Sequence, residues 1–436
     1  HHIRVSSGVT LYPSDDSDID TLLRHADNAM YKAKQTGRNR YCLFNTEQDQ
    51  EVFLKHHRLD EIEKALSNNE FELYYQPKVN MLTSKVFGAE ALIRWNHAEK
   101  GLIPPLDFLP VIEGTELEIK IGDWVIEQAL KQLESWHQQG VNIEVSVNIA
   151  SHHILSDNFF TELSAMLAKY SAVNPNYLQL EILESSALGD LNAISLVIKN
   201  CQQALGVKVA LDDFGTSYSS LTHLRSLTAN TIKIDQSFVR DMLDDPSDYA
   251  IIDGVIGLSD SFNRNVIAEG VESTAHGLML LVMGCHEAQG YGIAKPMPAT
   301  DFPKWLTSYK PNQDWLNCAH QHLTDKETKV KLFRLTETRW QQHFVSNIQA
   351  SPEEIKNWPI MDKKLCHGGT WIKRARQERL FSNKSLDKLE QALEQAHSIA
   401  ETIQYTYQEG EIANARNTLA ELQAAFDVMN NAFQNL

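Results

Sequence analysis

The sequence predicts an α/β protein built on a (β/α)₈ barrel, with an N-terminal α/β fragment before it and an all-α helical bundle after it. Two observations carry that prediction. Between residues 71 and 308, eight strand-like runs alternate with helix-like stretches, and from about residue 328 onward the pattern becomes purely helical. Barrels of eight such units occupy roughly 250 residues, close to the length of the alternating region. The alternative is an open doubly wound sheet, but no glycine-rich phosphate loop follows the first strand-like run.

Residues 1–46 contain a strand-like VTLYP, a predicted helix from Ile19 to Lys34 and a short strand YCLF. Forty-odd residues are too few for an independent core, so the chain is expected to be a piece of a longer protein. Residues 47–70 are charged and helical in pattern, as suits a connecting helix. The barrel strands are read at 71–76, 85–93, 143–149 and 178–182, then at 207–213, 231–235, 265–270 and 287–292. Helical segments such as Trp124–His137 and Ala193–Leu205 lie between most of them. Residues 309–327 read as a linker and 328–436 as the bundle.

In the bundle, Leu386, Leu389, Leu393, Ala396, Ala400, Ile403 and Tyr407 recur at alternating spacings of three and four. A second seam runs through Ile412, Ala415, Leu419, Leu422, Phe426, Met429, Phe433 and Leu436, with Gln408–Gly410 as the turn between them. Two heptad seams joined by a short turn predict an antiparallel helical hairpin, half of a small bundle.

Composition narrows the function. The 436 residues are 42% hydrophobic and 22% charged, as in a globular protein, and the net charge is −17. So acidic a chain is not expected to bind a nucleic-acid polymer through a general basic surface. No stretch approaches the roughly 18 apolar residues of a membrane helix. The five cysteines are scattered and read as reduced thiols, which places the protein in the cytoplasm.

The C-terminal ends of barrel strands are where such folds carry function. Those ends supply Glu90, Asn148, Glu181, Asp212 with Asp213, Lys233, Glu269 and Gln289. One acid at a strand end is most often a helix cap or a solvated loop residue. Seven coincidences on one rim are not explained that way. So many carboxylates converging need divalent cations, and an all-oxygen donor set favours Mg²⁺ or Mn²⁺ over zinc. A shared aspartate flanked by further acids suits a pair of cations that clamp a phosphate and activate a water. Lys233 would orient that water or offset transition-state charge, and Arg94 would grip a phosphate oxygen. The histidines of this region, His137 among them, show no ligand spacing.

At these residues the sequence resembles the EAL-domain family of cyclic-di-GMP phosphodiesterases. The carriers are EALIRW (90–95), YYQPK (74–78), SVNIA (146–150), LEILES (180–185), DDFGTSYSSL (212–221), IKID (232–235), AEGVE (268–272) and QGYGIAKP (289–296). The resemblance runs from about 55 to 308. It implies an EAL-type barrel with one antiparallel strand that linearises cyclic di-GMP to pGpG, using two Mg²⁺ or Mn²⁺ ions. It further implies one cation on Glu90, Asn148, Glu181 and Asp212, and a second on Asp212, Asp213 and Glu269. Glu90, Asp213, Lys233 and Glu269 then form the catalytic set, with Gln76, Arg94 and Gln289 contacting substrate. Glu184 would anchor the loop Phe214–Leu221, which in the family contributes to a dimer contact; Ser217 stands there where the family more often has glycine.

Residues 1–46 resemble the C-terminal end of a GGDEF domain through GVTLYP (8–13) and ADNAMYKAKQTGRNRY (26–41). The part that carries the GGDEF motif is absent, so no activity is expected of this piece. The bundle is similar to the chemoreceptor zinc-binding family through LCHGGTW (365–371) and the helix around Ala396–Ile403. That resemblance implies a zinc site in which Cys366 and His397 fill two seats. Glu337 stands at a third, with His343 as its substitute, and Leu393 occupies the fourth as core. The reading is therefore a metal-dependent phosphodiesterase with a regulatory bundle, a homodimer through the barrel loop, the bundle or both. Its alternatives are a cyclic-di-GMP receptor that does not hydrolyse, and a zinc or redox sensor acting through Cys366.

Overall fold

The structure, a computed structural model, describes residues 5–35, 38–187, 191–216, 227–321 and 324–434. Two compact units are distinguished, residues 1–72 with 94–121 and residues 73–93 with 122–436. In the first, β1 (Ser7–Val9) pairs in parallel with β2 (Tyr41–Leu43), and α1 (Ile19–Gln35) lies between them in sequence. The first strand ends at Val9, earlier than the VTLYP run suggests; Thr10 and Ser17 both donate to Asp15 in the turn that follows. The expected connecting helix is α2 (Thr46–Ser67), whose Glu61 pairs with His97 and Lys100.

The second unit holds the barrel. Its strands are β3 (Phe71–Asn80), β4 (Lys85–His97), β6 (Glu144–Asn148), β7 (Leu178–Leu183), β8 (Lys208–Phe214), β9 (Thr231–Ile234), β10 (Asn265–Ala268) and β11 (Glu287–Gln289). They close on themselves because β3 pairs with both β4 and β11. Neighbours from β4 round to β11 are parallel, whereas β3 runs antiparallel to β11. The closed ring rules out the open doubly wound sheet. Two short strands, β5 (Gly101–Ile103) and β12 (Met297–Pro298), extend β4 and β3. Pro77 falls between the part of β3 paired with β12 and the part paired with β11, where its missing N–H costs no ladder bond there.

Both faces of these strands are buried, and they differ in kind. Val145, Val147, Leu180, Ile182, Ile232 and Ile234 form one set of alternate positions. The other set, Ser146, Gln179, Glu181, Thr231 and Lys233, is polar and tied together inside the barrel. Lys78 Nζ donates to Ser146 Oγ at 3.0 Å and to Gln179 Oε1 at 3.1 Å, and Gln179 Nε2 donates to Thr231 Oγ1 at 3.3 Å. The barrel interior is thus hydrogen-bonded scaffolding beneath the acidic rim.

The C-terminal bundle follows the two seams. Helices Asp325–Gln349, His367–Gln377, Asn383–Gln408, Ile412–Asn417 and Leu419–Gln434 enclose a core of Phe333, Trp340, Phe344, Leu393, Phe426 and Met429 among others. Every described seam residue is buried or packed against that core; Leu436 lies outside the described residues. Residues 309–327 are not a bare linker. They include a helix, Gln313–Ala319, whose Trp315 is buried over Gly277 and donates from its indole to the Thr274 carbonyl at 2.9 Å.

The LCHGGTW stretch has a packing explanation. Cys366 caps the His367–Gln377 helix, its Sγ accepting from the Gly369 N–H at 3.3 Å. A Cβ on Gly368 would lie 2.4 Å from Glu337 Oε1, and one on Gly369 would lie 2.0 Å from the Lys363 carbonyl oxygen. Glu337 accepts from the Gly368 N–H, yet burial pushes its carboxyl up to about 8. Its stabilising contribution is therefore complete below the ordinary value of 4.5 and is lost as pH rises through about 8. Relative to Glu337→Gln, wild type is expected to lose melting temperature progressively between about pH 4.5 and 8, with a constant difference above that. Identical melting of the two proteins across that range would rule this out.

No zinc site is shown among the described residues. Among the described residues, the groups whose ligand atoms lie within 4.8 Å of one another are in the barrel and include neither Glu337, Cys366 nor His397. His397 donates from Nδ1 to the Met361 carbonyl at 2.8 Å, and His343 faces Asp244 at 3.3 Å. Burial also pushes the Cys366 thiol up to about 12, so it is a poor nucleophile for redox chemistry near neutrality.

Candidate active site

The rim carboxylates converge as the sequence predicts. Glu90, Glu181 and Asp212 present ligand oxygens within 4.8 Å of one another, and so do Asp212, Asp213 and Glu269. Asp212 belongs to both groups. Lys233, fully buried, reaches four of the five acids: Glu269 at 2.6 Å, Glu181 at 2.7 Å, Asp212 at 3.0 Å and Glu90 at 3.6 Å.

How two adjacent aspartates reach one site is a matter of backbone. In a regular strand neighbouring side chains point to opposite faces. Here the β8–β9 register shifts between Leu211 and Phe214, so that three steps on β8 match two on β9. Asp213 takes φ +52 within that bulge, a conformation aspartate tolerates better than most residues. The irregularity brings Asp213 round beside Asp212.

The remaining residues fall around this centre. Asn148 donates from Nδ2 to Glu90 Oε1 at 2.7 Å, and Gln289 donates from Nε2 to Glu90 Oε2 at 2.5 Å. The same Gln289 nitrogen donates to Gln76 Oε1 at 2.9 Å, while Gln76 Nε2 donates to the Ala294 carbonyl. Glu184 accepts from the Gly215 N–H at 3.0 Å, the contact expected of a loop anchor. Arg94 is half-buried four residues beyond Glu90 on β4. Residues 217–221 of the proposed dimer loop, with Ser217, lie outside the described residues.

Two participants were not singled out from the sequence. Lys78, fully buried, approaches Glu181 at 3.4 Å and Glu144 at 3.6 Å, and supplies a second cation beneath the site. Its signal was a lysine at the end of the YYQPK run, on the same alternate positions as the other inward polar residues. Asp235 caps the helix after β9 and hydrogen-bonds Asp213.

Five acids share too little positive charge. Burial opposes ionisation of Glu181, but Lys233 and Lys78 outweigh it and hold its carboxyl at about 2. Burial pushes Glu90 and Asp212 up, and Glu269 well above the carboxylate range, despite Lys233. Asp213 rises from 3.8 to about 7 through burial, the Asp212 charge and Asp235. Lys233 stays protonated because its acidic partners outweigh its burial. An all-oxygen donor set with surplus negative charge fits hard divalent cations.

A pH prediction follows. In cation-free protein Asp213 keeps its proton up to about 7, so its contribution to stability is full below 3.8 and lost as pH rises through 7. Cation-free wild type is expected to lose melting temperature between about pH 4 and 7 more steeply than Asp213→Asn. Parallel curves for the two would place the Asp213 titration elsewhere.

The chain matches the EAL domain family over residues 59–296, more than half its length. It belongs to the EAL domain family. Residues 1–40 match the diguanylate cyclase GGDEF domain. The cyclic di-GMP phosphodiesterase PdeR of Escherichia coli is 39% identical over 306 residues, which cover 70% of this chain and 46% of the relative. The bifunctional diguanylate cyclase/cyclic di-GMP phosphodiesterase MucR of Pseudomonas aeruginosa is 37% identical over 302 residues, 69% of this chain and 44% of the relative. The chain thus spans about half the length of these two relatives. A solved structure of the PaMucR phosphodiesterase in complex with c-di-GMP superposes with a TM-score of 0.54 at 35% identity, over 56% of this chain and 99% of that one. The EAL enzyme Bd1971, bound to cAMP and cyclic di-GMP, superposes with a TM-score of 0.56 at 29% identity, over 66% and 76%. EAL domains are metal-dependent, and no helix among the described residues of this one is long and apolar enough to cross a membrane.

Proposed function

We propose that this EAL domain hydrolyses cyclic di-GMP to linear pGpG. The observation that carries the reading is the pair of carboxylate groups sharing Asp212, in a chain whose relatives include named cyclic-di-GMP phosphodiesterases. Glu90, Asn148, Glu181 and Asp212 would hold one Mg²⁺ or Mn²⁺, and Asp212, Asp213 and Glu269 the other. When bound, two such ions supply the charge that grips a phosphodiester and acidifies an attacking water.

The chain's own residues do the rest. Lys233 holds four carboxylates in register and carries positive charge to the position where negative charge develops on the phosphorus oxygens. Asp213 and Glu269 are the flanking acids whose proton affinity burial has raised, the property a proton acceptor needs near neutrality. Gln289 and Gln76, already joined to Glu90 through hydrogen bonds, orient the substrate, and Arg94 grips a phosphate oxygen. Glu184 fixes the backbone at Gly215, just beyond the metal-binding aspartates. The same reading takes the protein as a cytoplasmic homodimer through residues 214–221, the bundle or both.

The test is turnover of cyclic di-GMP with Mg²⁺ or Mn²⁺, with pGpG resolved from substrate and Glu90→Ala run alongside. Linear product from wild type alone supports the proposal. Tight binding without turnover under either cation would make the domain a receptor.

A further inference from the structure

The bundle meets the barrel along the helix Thr274–Met283 and, through side chains, at a bent pair of helices that also backs the second group of carboxylates. These elbow helices, Gln236–Asp241 and Pro246–Ser261, follow β9 directly. On their inner side they support the backbone just after Asp213 and just after Glu269. Gln236 Cβ lies 2.6 Å from where a side chain would begin on Gly270, the residue after Glu269. Phe238 and Ile251 come within 3.0 and 3.5 Å of the same point on Gly215, two residues after Asp213. Both glycines have positive φ, so neither spacing can be closed by an ordinary side chain, and the elbow sets where each backbone sits.

On its outer side the elbow is gripped by the bundle through polar contacts. Arg339 straddles the Asp244 carboxylate at the bend, with Nη2 at 3.0 Å and Nε at 3.2 Å, and His343 adds Nδ1 at 3.3 Å. Arg374 approaches Asp253 at 3.5 Å, and His367 sits edge-on to Tyr249 with ring centroids 5.8 Å apart. The fit between these contacts is open. Cavities of about 660 Å³, beside Arg339, and about 1030 Å³, beside Arg374, flank them. The covalent approach is firm by contrast, because Trp315 seats the connecting helix over Gly277. A polar, loosely packed contact beside a fixed pivot is the kind that forms and releases without exposing a core.

We propose that the helical bundle acts on the active site as a clamp: Arg339 and His343, by holding Asp244, press the elbow against Gly215 and Gly270 and so position Asp213 and Glu269 for the second cation. Arg339 is a positioning residue and touches no substrate. The inference rests on the two-cation reading, so the test reads cation binding without turnover.

The experiment titrates the full chain with Mn²⁺ alone and follows free Mn²⁺ by electron paramagnetic resonance. Wild type is expected to bind two ions. Arg339→Ala with His343→Ala is expected to weaken one of them about fivefold or more and leave the other unchanged. The reversed pair, Asp244→Arg with Arg339→Asp, is expected to recover affinity that either reversal alone loses, with circular dichroism confirming that all variants keep their helices. Two unchanged affinities in the double alanine variant would reject the clamp and leave the two-cation reading standing. Equal weakening of both ions without recovery in the reversed pair would reject it as general destabilisation. Absence of Mn²⁺ binding in wild type would remove the two-cation reading, and the clamp with it.

Discussion

Asp212→Asn is expected to abolish turnover, by at least about a thousandfold, because it withdraws a ligand from both cation positions at once. No other residue belongs to both carboxylate groups. The barrel should survive the change. Asp212 is one of four acids that share Lys233, and Glu181 and Glu269 remain at 2.7 and 2.6 Å to keep that lysine paired. Removing one of several crowded, buried carboxylates relieves repulsion, so the cation-free variant should melt no lower than cation-free wild type. Loss of activity with loss of fold would assign Asp212 a structural role.

Lys233→Met is expected to do the opposite to stability. The ammonium is the common partner of Glu90, Glu181, Asp212 and Glu269, all within 3.6 Å of it. A methionine fills much of the space and leaves these acids without their shared charge. Breaking a buried ion pair by removing one partner costs roughly 3–5 kcal/mol, and part of that cost is avoided where the acids take up protons instead. The variant should therefore melt far below wild type in a chelator and recover most of the difference in saturating Mg²⁺, since divalent cations replace the missing charge. Activity should fall about a hundredfold or more even when Mg²⁺ restores the fold. A variant as stable as wild type in chelator would mean that the acids already hold protons and that Lys233 carries little of their charge.

Much of this site was legible in the sequence because its carboxylates interrupt apolar runs. Glu90, Glu181, Asp212 and Glu269 each end or punctuate a stretch that reads as strand, and period-two alternation places them on one face. Asp213 was legible as a residue but not as a geometry. An unbroken strand would point it away from Asp212, and the bulge that turns it back depends on the register with β9, a tertiary fact. Lys78 went unassigned for a related reason: its partners Ser146, Gln179 and Glu181 lie on other strands, 68 to 103 residues away.

In the bundle, the seams predicted the core residue by residue, since a heptad repeat encodes its own buried face. Ligand geometry is not encoded in that way. Cys366, His397 and Glu337 come from three helix segments, and how those segments cross decides whether they meet. Here Glu337 and Cys366 both serve the start of the His367–Gln377 helix. Trp315, in a stretch read as linker, shows the same limit, because its partner Gly277 is far away in sequence.

The most direct measurement is anomalous diffraction from crystals grown with Mn²⁺. The account predicts two peaks in the barrel, one among Glu90, Asn148, Glu181 and Asp212 and one among Asp212, Asp213 and Glu269, with Asp212 touching both. A single peak, or peaks that leave Asp212 without a cation, would contradict it.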